Sequence, residues 1–94
     1  MSTYEVAHIH EQGQHMIIIP LNSNFAKKTQ DDQIKIKNSL QACANDAKLK
    51  GVVVPVWKDG NNMMFIAPPN WHAFYKSVSW DWVITNLNKT LTCH

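Results

Sequence analysis

Hydrophobic positions fall in near-continuous runs at residues 16–19, 52–57 and 63–66: Met-Ile-Ile-Ile, Val-Val-Val-Pro-Val-Trp and Met-Met-Phe-Ile. A strand with one face in water should alternate apolar and polar residues, so runs of this kind imply strands covered on both faces. The cover must be another helix, another subunit or a ligand.

The flanking pattern predicts the remaining elements. Residues 3–10 alternate, residues 15–21 are mostly apolar, and Gly13 lies between them, which reads as a hairpin. With a two- or four-residue loop, one face carries Tyr4, Val6, His8, His10, His15, Ile17, Ile19 and Leu21. Thr29 stands at an N-cap position with Asp31 and Asp32 behind it, which starts a helix over about residues 30–50. Ile36, Leu40, Cys43, Ala44 and Ala47 form its apolar stripe, and Gly51 is placed as a left-handed cap. Residues 52–57 and 62–67 form a second hairpin around a two-residue type I′ turn at Asp59-Gly60, with Val52, Val54, Val56, Met63, Phe65 and Ala67 on one face. Pro55 cannot donate to a ladder and marks an edge or a bulge. Pro68-Pro69 breaks the pattern, and a short turn follows through Lys76. Ser79 then caps a last helix over about residues 80–91. The order is ββαββα, which predicts an α+β two-layer sandwich: a four-stranded mixed or antiparallel sheet with two main helices.

Composition narrows the class more than the function. A chain of 94 residues makes one domain. All nine basic residues are lysine and the net charge is only +2, which argues against a sequence-reading nucleic-acid protein. Lys35, Lys37, Lys48, Lys50 and Lys76 with nearby aromatics leave single-strand binding as a minor expectation. Two cysteines, Cys43 and Cys93, do not make a disulfide framework. They point to a reducing, cytoplasmic setting, with Cys43 an inert buried thiol. The N-terminus shows no signal-peptide pattern, and no apolar run reaches membrane length.

Three groups of residues are candidates for function. With both helices on one side of the sheet, the other side exposes Ile9, Met16, Ile18, Trp57, Met64 and Ile66, whereas helices on opposite sides leave no face open. Met16, Ile18, Trp57, Met64 and Ile66 then form the interface of a two-fold homodimer. Residues 68–82 hold more than half of the chain's aromatics. Trp71, His72, Tyr75 and Trp82 are their candidate partner or ligand contacts, although Trp71, Phe74 and Trp80 also suit core filling, and Trp82 either packs on the 71–77 turn or stands as an exposed anchor. Finally, His8, His10 and His15 would share a face near the hairpin turn and could ligate Zn²⁺, Ni²⁺ or Cu²⁺. No phosphate loop, nucleophile elbow or paired-carboxylate motif is present, and no cofactor is implied. The expectation is a non-enzymatic protein acting by association, as a homodimer or with a protein partner. The alternative is a small-ligand or metal-binding domain.

Overall fold

The computed structural model describes residues 2–93. The chain forms β1 (Ser2–Glu11), β2 (Gln14–Leu21), α1 (Gln30–Asp46), β3 (Val52–Asp59), β4 (Asn62–Phe65), α2 (His72–Ser77), α3 (Trp80–Thr85) and β5 (Lys89–Cys93). Short 3-10 turns at Ser23–Lys27 and Pro69–Trp71 precede α1 and α2. The sheet is five-stranded and mixed, in the order β4-β3-β2-β1-β5. Only β2 and β3 run parallel, joined by the crossover through α1.

This corrects the expected four-stranded, two-helix ββαββα sandwich. The final apolar stretch does not continue as helix to residue 91. Helix α3 ends at Thr85, and Lys89–Cys93 joins the sheet as a fifth strand against the first half of β1. Leu91 pairs with Tyr4 and points into the core, while Thr90 and Thr92 flank it at strand period. The Asn88 carboxamide lengthens this ladder: its Oδ1 accepts from the His8 amide at 2.8 Å, and its Nδ2 donates to the His8 carbonyl at 2.9 Å.

Helices cover both faces of the sheet, which gives three layers rather than two. Helix α1 lays Leu40 and Ala44 over Val6, Ile17, Ile19, Val53 and Leu91. The segment from Trp71 to Val83 covers Ala7, Met16, Ile18, Val54 and Val56 on the opposite face. The double cover explains the continuous apolar runs of the inner strands β2 and β3. Where only α1 covers the sheet, the sequence alternates. Thr3, Glu5 and Thr90 lie on the uncovered face and are exposed, with Thr92 half-buried beside them.

The turns hold two further corrections. The loop of the second hairpin is Gly60-Asn61, one residue beyond Asp59-Gly60, with Gly60 alone at positive φ (64°). That fits a turn with glycine in the first central position rather than type I′. Lys48 (φ 62°), not Gly51, takes the left-handed position that ends α1, and the Leu49 amide donates back to the Ala44 carbonyl at 3.0 Å. Pro55 still accepts from the Ile66 amide at 3.1 Å, and only the return donor that proline lacks is missing, at the point where the pairing with β4 ends. Beyond it, the Gln41 side chain serves the vacant edge of β3: Oε1 accepts from the Val53 amide at 2.8 Å, and Nε2 donates to the Gly51 carbonyl at 3.1 Å.

Candidate functional site

The expected open sheet face does not form. Met16 and Ile18 are fully buried beneath α2 and α3 and lie beside Val52 and Val54 in the parallel ladder. Trp57, Met64 and Ile66 alternate onto the other face, the one that carries α1. Trp57 is buried there with its ring edge against Phe25 at 4.7 Å, whereas Met64 is 43% exposed and Ile66 half-buried. These five residues therefore do not make one surface.

The aromatic segment is mostly core. Trp71 and Tyr75 are buried, and Phe74 meets both edge-on at 5.5 and 5.1 Å. Trp82 packs edge-on against Phe74 at 6.0 Å instead of projecting as a free anchor. His72 is exposed, donates from Nε2 to the Ala67 carbonyl at 2.9 Å and lies against Phe65. Trp71 and Phe74 line a hollow of about 520 Å³ shared with Gln12, Gln14 and Asn70. The Tyr75 hydroxyl is buried without a hydrogen-bond partner, and desolvation raises its pKa.

The three histidines do come together. His10 and His15 are directly paired across the hairpin, with ring centroids at 4.3 Å, and His8 stacks on His15 at 5.7 Å. The His8 ring Nε2–H donates to the Lys50 carbonyl at 2.7 Å. Desolvation, followed by repulsion from His10, His8 and Lys50, lowers the His15 pKa below the ordinary imidazole value. Stacking presents ring faces to one another rather than converging nitrogens. Among the described residues no three His, Cys, Asp or Glu side chains are arranged to hold a metal ion.

A different site is visible at the sheet edge. Cys43 on α1 and Cys93 on β5 form a disulfide, which corrects the expected inert thiol. Beside it runs a groove of about 720 Å³ between α1 and β5. Tyr4, Ile36, Leu40 and the disulfide form its apolar lining, with Ser39 and the Thr92 main chain as polar contacts. Lys35 and Asp46 stand toward opposite ends, eleven residues or about 16 Å apart along the helix. As the last strand in the sheet, β5 has β1 on one side and no strand on the other among the described residues. The periodicity conceals this site, because Leu87 and Leu91 are four apart and extend a helical stripe as readily as they end in a strand. The strand signal is Thr-Leu-Thr behind Asn86 and Asn88.

No helix among the described residues is long and apolar enough to cross a membrane. No known protein family, curated protein or solved structure shows significant similarity to the chain.

Proposed function

We propose that this is a non-enzymatic binding protein whose interaction surface is the groove between α1 and the edge strand β5. The carrying observation is that an apolar groove along α1 meets the end of an unpaired strand edge at Thr92 and Cys93. Such an edge offers a row of backbone donors and acceptors to an incoming extended segment, and the adjacent groove receives alternate side chains of that segment. The association expected from the sequence is kept, and its location moves from the sheet face to the sheet edge. The Cys43–Cys93 bond fixes the spacing of the two groove walls. It favours an oxidising compartment over the cytoplasmic setting that free thiols would suit.

A peptide selected from a random library and titrated into labelled protein tests this by amide chemical shifts. The expected shifts fall on Thr90, Leu91 and Thr92 and on Ser39 and Asp46 across the groove. Shifts confined to α2 and α3 or to the histidine stack, or failure to select any binding peptide, would overturn it.

A further inference from the structure

We infer that the histidine stack at the tip of the first hairpin is an acid-sensitive latch. Neutral rings hold the tip closed, and their protonation releases it and reshapes the hollow beside Trp71 and Phe74. The latch stands apart from the groove and does not depend on it. Strand alternation puts His8, His10 and His15 on the face that carries α1, and Gln14 on the face that carries α2 and α3. The tip is thus shared. One side bears the stack, and on the other Gln12 and Gln14 form a wall of the hollow.

His15 is the middle ring. It stacks on His10 at 4.3 Å, with the ring planes 13° apart, and on His8 at 5.7 Å. His10 and His15 are also direct cross-strand partners. Like charges directly opposite each other weaken an antiparallel pair, so a second proton entering this column pushes the strands apart. His8 keeps its place in either state, because the Nε2–H that donates to the Lys50 carbonyl is present in the neutral ring and in the cation. Desolvation, then the charges of His10, His8 and Lys50, lower the His15 pKa, and among the described residues none of the charges acting on it is negative. On β5, Lys89 lies opposite Val6, two residues from His8 on the same face. Glu11 alternates to the other face, and Asp46 at the end of α1 lines the groove. With the His15 pKa lowered, the closed tip holds fewer protons than the open one. Closure is therefore fully stable above about pH 6.5, the ordinary imidazole value, and weakens as the pH falls below it. The tip is also the weak end of the ladder. One pair, Glu11 with Gln14, lies beyond His10 and His15, and the turn holds Gln12 at φ 49°, a left-handed position unfavourable to a residue with a Cβ.

Amide protection factors, with imidazole and indole NMR shifts, followed from about pH 8 to about pH 5 test the latch. Protection at the amides of residues 10–15 is expected to fall by about two- to fivefold, the effect of opposed like charges, as the His15 ring takes its proton below about pH 6.5. The Trp71 indole signal should shift in the same step, and the Ile17 and Ile18 amides should keep their protection. His15→Gln removes the middle charge, so both the loss of protection and the Trp71 shift should disappear. His10→Gln serves the same purpose if the first variant misfolds, and the wild-type titration needs no variant. Rings that titrate while the tip keeps its protection would overturn the inference. So would a loss that survives in the glutamine variants, or one shared equally by Ile17 and Ile18. A tip that loosens with no shift at Trp71 would overturn its coupling to the hollow.

Discussion

Replacing Cys43 and Cys93 with alanine is expected to lower the unfolding free energy by about 4 kcal/mol. The bond closes a loop with a sequence separation of 50, and loop-closure entropy for that length gives this figure. For a small domain that is a large share of its total stability. The bond also ties the sheet's fifth strand to α1, and without it β5 keeps only its ladder to β1, the Asn88 carboxamide and Leu91. Urea unfolding followed by tryptophan fluorescence measures the loss, with the reduced wild-type chain as a control for lost sulfur packing. A loss under about 1 kcal/mol in both would show that the staple contributes little.

Gly51→Ala is expected to cost about 3 kcal/mol or more. Gly51 has φ +134°, where side chains are rarely accommodated. A Cβ there would also lie 2.7 Å from the His15 carbonyl oxygen and 2.8 Å from its carbon, both fixed in the sheet. Strands β2 and β3 would have to part at the start of the parallel ladder. Gly60→Ala is the control. Gly60 also has positive φ, but a Cβ there meets nothing within 4 Å, so the expected cost is only about 1 kcal/mol. Equal urea midpoints for the two variants would contradict the close approach at Gly51.

Local chemistry makes much of the fold readable. Thr29 accepts from the Asp32 amide and Ser79 from the Trp82 amide, as N-caps should. Gly13 closes the first hairpin with the histidines on one face, and Val52, Val54, Val56, Met63 and Phe65 share a face as their two-residue period requires. What stays hidden depends on distant pairing. The phase between the two hairpins is set by Ile18 lying beside Val54, across a crossover that local alternation does not encode. An arbitrary phase therefore groups Met16 and Ile18 with Trp57, Met64 and Ile66, although the two sets lie on opposite faces. The five residues of β5 become a strand only because the first half of β1 has a free edge. Helical and strand periods fit so short a segment equally well. The Cys43–Cys93 bond follows from that strand and is no more visible than the strand itself.

Both faces of the inner strands β2 and β3 are closed by the chain's own helices. Brief methionine oxidation of the native protein, resolved by peptide mass spectrometry, tests this most directly. Met64, 43% exposed at the margin of the sheet, should oxidise quickly, and Met16, 0% exposed beneath α2 and α3, should stay protected. Met16 oxidising as fast as Met64 would mean that the second face is open to solvent and would contradict the account.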